Sequence, residues 1–148
     1  MRAVLRPVHR GLVHLITLGV LAQAILAGQF ISGASDQLGT HGAVGGTLEL
    51  AGLALLLLAV AHRLAGERSR VALWGSLALG LALQVQAALG WMPGAAPTSV
   101  HVPLGVCIFA GALTLSLTLG RQVGDALEAE RRRHPSGTVD LIRPHSHG

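Results

Sequence analysis

Two histidines stand at matching points of this chain. His41 opens THGAVGG (40–46), and His101 opens the same figure in SVHVPLGV (99–106). Each is followed four residues later by a glycine, Gly45 or Gly105, and then by a long apolar run. A neutral imidazole is the commonest metal ligand among side chains. Two of them aimed at one point, in an apolar slot with small residues beside them, suit an iron with two axial ligands, and haem is the cofactor that fits. The competing reading is a pair of interfacial polar residues that mark helix ends.

The elements that must position them are membrane spans. The chain has 148 residues, 51% hydrophobic and only 12% charged, against about 25% charged in a soluble domain. Four apolar segments, about 11–31, 42–61, 71–91 and 101–120, each approach the roughly 20 residues that cross the hydrocarbon core. Each is expected to be helical, because open backbone is not tolerated against lipid. The expected fold class is therefore all-α, an integral membrane four-helix bundle in one domain over residues 1–120. Residues 121–148 read as a cytoplasmic helical extension, RQVGDALEAERRRH, and a disordered tail. His145 and His147 in that tail read as ordinary tail residues.

Charge sets the expected orientation. The 11 basic residues are all arginine, and the connections at 32–40 and 92–99 contain none. The N-terminus, residues 62–70 and the tail hold them all, so the positive-inside rule puts both termini in the cytoplasm. The expected location is the cell's inner (plasma) membrane. The net charge of +4 does not indicate nucleic-acid binding, since the arginines flank apolar segments and form no basic face of a soluble fold. The single cysteine, Cys107, permits no internal disulfide and reads as a small buried hydrophobe.

An internal repeat links the histidines to this frame. LAQAILAG (21–28) closes the first span and LQVQAALG (83–90) closes the third. Each carries glutamine, small residues and a final glycine, then an uncharged loop and His-x-x-x-Gly. A duplicated helical hairpin accounts for this and puts His41 and His101 at one depth. In a four-helix bundle, helices two and four face each other across the core, where cofactor sites are built. Gly45 and Gly105 lie one turn deeper on the same faces, leaving room for a porphyrin edge.

The segments THGAVGGTLELAGLALLLLAVAHR, LWGSLALGLALQVQAALG and SVHVPLGVCIFAGALTLSL resemble one four-helix half of the haem A synthase superfamily, over about residues 10–120. The resemblance also extends to small single-unit bacterial membrane proteins of that type. It implies haem b, with His41 and His101 as the axial pair and with Gln23 and Gln86 at the ends of the odd helices beside it. The synthases carry a glutamate one turn before the second-helix histidine and usually an arginine after it; here those places hold Leu38 and Gly42. The second four-helix half is missing, unless a homodimer replaces it. The resemblance thus implies haem binding rather than haem A synthesis.

Other polar residues are read in the same frame. Glu49 sits two turns below His41. It either tunes the haem, relays a proton or meets a quinone, or it is a protonated carboxyl bonded to Gln84 or Gln86 of a neighbouring helix. Gln23, Gln84 and Gln86 also serve as interhelical hydrogen-bond donors. His14 and His62 read as interfacial residues at the cytoplasmic ends of helices one and two, and Trp74 and Trp91 as an aromatic belt. The expected function is a b-type haem-binding membrane protein, for electron transfer or a haem-related role, with a membrane redox partner, a quinone or a second copy as partner besides the lipid bilayer. Two other readings stand beside it: a non-haem accessory subunit, and a small transporter using Glu49.

Overall fold

The computed structural model describes residues 2–66 and 69–133. They form four helices, α1 (Arg2–Ile31), α2 (Gln37–Leu64), α3 (Arg70–Trp91) and α4 (Ala95–Arg133), with no strand among the described residues. All four are long and apolar enough to cross a membrane, which fits a multi-pass membrane protein. The expected tail, with His145 and His147, lies outside the described residues.

The helices are longer than the apolar runs. α2 begins at Gln37 and α4 at Ala95, so His41 and His101 lie inside their helices rather than at the mouths. QLGT and AAPTS carry no residue that forbids the first turns, and Pro97 is tolerated there because early helical N–H groups have no partner to lose. α4 runs on past Gly120 to Arg133, where Glu128 and Arg132 form an exposed ion pair one turn apart at 4.0 Å.

Short connections force each helix to return beside the one before it. Gly33 ends α1 with φ +104°; its N–H donates to Phe30 O at 3.1 Å and the Ala34 N–H donates to Gln29 O at 3.1 Å. That pair of bonds needs a left-handed residue between them, which glycine supplies without strain. Ser69 caps α3, accepting from the Ala72 N–H. The result is a square of antiparallel neighbours: α1 packs on α2 and α4, and α3 packs on α2 and α4. The diagonal pairs, α1 with α3 and α2 with α4, do not come within 8 Å at their Cα atoms.

One spacing organises the core. The seam of buried residues is His9, Val13, Ile16 and Val20 on α1; Leu48, Leu55, Ala59 and His62 on α2; Ala72, Ser76, Leu79 and Leu83 on α3; and Ile108, Ala112, Leu115 and Leu119 on α4, with Thr17, Gly80 and Ser116 buried beside it. With the buried Gly52 on α2, every helix repeats the alternating four-and-three step of a heptad seam, the pattern of helices packed at a shallow angle. Outside the seam the surface is apolar: Leu15, Leu50, Leu57, Leu81, Val106 and Leu117 are all exposed. Cys107 is exposed too, contrary to the buried reading, because the seam passes through its neighbour Ile108. Hydroxyls on this surface bond their own helix: Thr47 donates to Ala43 O and Thr114 to Ala110 O. A hydroxyl satisfied within its own helix tolerates lipid.

The tightest approach is between α2 and α3. A Cβ on Gly80 would stand 2.7 Å from Leu56 Cγ and 3.0 Å from the backbone oxygen of Gly52. A Cβ on Gly52 would stand 2.8 Å from Gln84 Nε2 and 3.0 Å from Leu83 Cβ. Glycine here lets two backbones meet, the usual role of small residues between membrane helices. Gly80→Ala is expected to lower stability by about 1–3 kcal/mol through overpacking. Gly111→Ala, where nothing lies within 4 Å, should be neutral or slightly stabilising. Thermal unfolding of both variants in detergent checks this; equal midpoints would mean that the α2–α3 contact yields freely.

Candidate functional site

The seam continues to the end of the bundle away from the arginines. Three residues beyond Val20 on α1 lies Gln23, and three beyond Leu83 on α3 lies Gln86. Stepping back from Leu48 on α2 gives Gly45 and His41, and stepping back from Ile108 on α4 gives Gly105 and His101. All four helices therefore aim a polar side chain, and two of them a glycine, at one layer of the core.

The side chains meet there. The rings of His41 and His101, on diagonally opposite helices, have centroids 6.4 Å apart and planes inclined at 60°. His101 Nδ1–H donates to the backbone oxygen of Gln86 at 3.1 Å, which leaves Nε2 as the ring's free lone pair. Gln23 Nε2 donates to the backbone oxygen of His41 at 2.9 Å. The glycines make room for the glutamine amides: a Cβ on Gly45 would stand 2.9 Å from Gln23 Nε2, and one on Gly105 3.2 Å from Gln86 Nε2. A Cβ on Gly90 would press on His101 Cε1 at 3.2 Å.

This layer is polar and unsatisfied. Among the described residues, the buried side-chain atoms without a hydrogen-bond partner are Gln23 Oε1, His41 Nδ1, Gln86 Oε1 and His62 Nε2. Three of these four belong to the layer just described. Orphaned buried polar atoms are rare because each costs about 1–3 kcal/mol. Their concentration at one level marks a place where a further polar or metal-bearing group would be accommodated.

Glu49 is off the seam, one residue past Leu48. Its backbone oxygen, not its carboxyl, takes the amide of Gln84 at 3.0 Å. Gly52, one turn on, lets the α3 amide reach the main chain. The carboxyl-to-glutamine bond, one of the two readings of Glu49, is not formed.

A second cluster lies at the arginine end. His62 is 5% exposed, not at the surface as its neighbour Arg63 suggests. Its ring centroid is 4.9 Å from that of His9, a residue that the sequence reading left outside the first span. His9 is 3% exposed, and its Nε2 lies 2.7 Å from Ser76 Oγ. The Ser76 hydroxyl donates to Ala72 O at 2.6 Å, so the His9 Nε2–H must be the donor to Ser76. The signal for His9 was present in the four-and-three step from His9 to Val13, Ile16 and Val20. His14 is exposed; its Nδ1–H donates to Arg10 O at 2.8 Å, with Ser116 Oγ at 3.2 Å.

No group of three or more His, Cys, Asp or Glu side chains is placed to hold a metal ion among the described residues; both ends offer imidazoles in pairs. No family model, curated protein or solved structure matches the chain.

Ser76→Ala would strand the buried His9 Nε2–H and is expected to cost about 1–3 kcal/mol. Removing both partners in Ser76→Ala/His9→Leu should recover part of that loss. Unfolding midpoints of the single and double variants measure the coupling, and additive losses would show that the bond contributes nothing.

Proposed function

We propose that this chain is a bis-histidine haem-binding integral membrane protein, with His41 and His101 as the axial ligands of a b-type haem. The observation that carries the reading is the 6.4 Å between their ring centroids. Metal–nitrogen bonds of about 2 Å on opposite sides of one iron place two imidazole centroids about 6 Å apart. The diagonal position of α2 and α4 gives the space between the two rings no backbone of its own to fill it.

The protein's part would be to hold and orient. The Gln86 carbonyl fixes the His101 ring through Nδ1–H, the arrangement that keeps a ligating nitrogen deprotonated and aimed. The Gln23 amide ties α1 to the α2 backbone at His41. With both axial places taken by protein, the haem would supply electron transfer rather than oxygen binding. Apolar walls from Leu48 and Ile108, the next seam residues inward, would keep water off its inner edge.

The same reading places both termini in the cytoplasm. Arg6, Arg10, Arg63, Arg70 and Arg121 all fall at one end of an antiparallel bundle, which supports that orientation, with the haem toward the outer leaflet. The matching contacts of Gln23 with Gly45 and of Gln86 with Gly105 support descent of the two hairpins from one duplicated unit.

Purification in mild detergent, with haem supplied during expression, tests the assignment through the reduced-minus-oxidised visible spectrum. Sharp low-spin bands are expected in the wild-type protein and in His62→Ala. His41→Ala and His101→Ala should each lose most of the cofactor. A folded but colourless wild-type protein would overturn the reading and leave the layer as a helix-packing and partner-binding feature.

A further inference from the structure

The arginine end carries an open cleft between α1 and α4, of about 340 Å³, lined by Pro7, Arg10, Gly11, His14 and Gly120. Neither the histidine pair nor its glutamines are part of it. We propose that this cleft seats the phosphate of an anionic phospholipid, whose acyl chain follows the groove above it.

Four features of the cleft point to that occupant. The first is its level: Gly11 opens the apolar run of α1 and Gly120 closes that of α4, so the cleft stands where hydrocarbon gives way to headgroups. The second is its shape. Gly11 and Gly120 have nothing within 4 Å of where a Cβ would be, which leaves the walls open to a group of phosphate size. The third is its charge. Arg10 is partly buried and makes no ion pair among the described residues. A guanidinium binds phosphate oxygens through two parallel N–H groups, and basic pockets between membrane helices suit anionic headgroups. His14 is held by its Nδ1 against Arg10 O and Ser116 Oγ, so Nε2 is its remaining polar atom.

The fourth feature separates a lipid from a free anion. One and two turns along α1 from Gly11 are Leu15 and Leu18, 67% and 63% exposed. One and two turns back along α4 from Gly120 are Leu117 and Leu113, 56% and 41% exposed. Residues at these spacings share a helix face, and the contact of His14 with Ser116 shows that the two faces adjoin. The cleft thus opens upward into an apolar track of the right kind for one acyl chain. A zwitterionic lipid would bring its own cation to the arginine and gain less.

The proposal rests on the membrane-spanning reading but not on the haem. The test uses the full chain, purified and delipidated in detergent, with its unfolding temperature followed as phosphatidylglycerol, phosphatidylcholine or inorganic phosphate is added. Phosphatidylglycerol is expected to raise the midpoint, phosphatidylcholine to do little, and inorganic phosphate alone to do nothing. Arg10→Gln should require about tenfold more phosphatidylglycerol for the same shift, the scale of one charge-assisted hydrogen bond. Gly120→Leu, which fills the cleft, should act likewise. Arg63→Gln, which removes an exposed charge at the same end, should leave the response intact.

Equal responses to the two lipids, or an Arg10→Gln response like that of wild type, would overturn the proposal. A full Arg10-dependent shift with inorganic phosphate would assign the cleft to a soluble anion instead. Alkaline carbonate extraction of cell membranes is run alongside: release of the protein would overturn the spanning reading itself. His41→Ala/His101→Ala is expected to keep the lipid response, so loss of haem and loss of lipid binding remain distinguishable.

Discussion

Everything in this bundle depends on the phase of one seam. Each helix buries residues in alternating steps of four and three, and the same phase persists from the arginine end to the opposite end. Such a seam keeps one narrow face of a helix turned to its neighbours over many turns. Because the phase does not drift, a residue at either end is aimed inward by the packing of the middle. His41, His101, Gln23 and Gln86 converge for the same reason that Leu55 and Leu79 are buried.

Glycine sets how closely that seam can close. Where α2 and α3 cross at Gly52 and Gly80, the backbones themselves are the contact surface. At Gly45 and Gly105 the missing side chain is instead occupied by a glutamine amide from the neighbouring helix. One residue type thus does two jobs along a single face: close approach in the middle, and accommodation of a polar partner nearer the end. Between helices as apolar as lipid tails the hydrophobic effect has little to select on, so close contacts of this kind carry the specificity of packing.

The sequence was informative about the four helices and about their pairing order, since apolar length and short connections leave few alternatives. The expectation that His41 and His101 face each other agrees with their placement, because a repeated motif on even-numbered helices transfers directly into a square bundle. His9 and the burial of His62 were missed. His9 precedes the expected first span and His62 adjoins Arg63, but the heptad phase decides burial. Cys107 failed for the converse reason: an apolar run says that a residue avoids water but not whether it faces protein or lipid. The partner of Glu49 was misjudged because a backbone carbonyl, invisible as a residue type, competed for the glutamine.

α2 alone carries an imidazole on its seam at both poles. His41 and His62 are three heptads apart on this one helix, a rise of about 30 Å, which is also about the thickness of the hydrocarbon layer. The two polar clusters therefore stand about one hydrocarbon thickness apart, with α2 as a stiff axle between them. The seam from Leu48 to Leu55, with Val13, Ile16, Leu79, Leu83, Ile108 and Ala112 around it, offers no titratable group. Along this stretch the seam side chains are apolar, so the polar cluster at one pole and the cluster at the other are built separately.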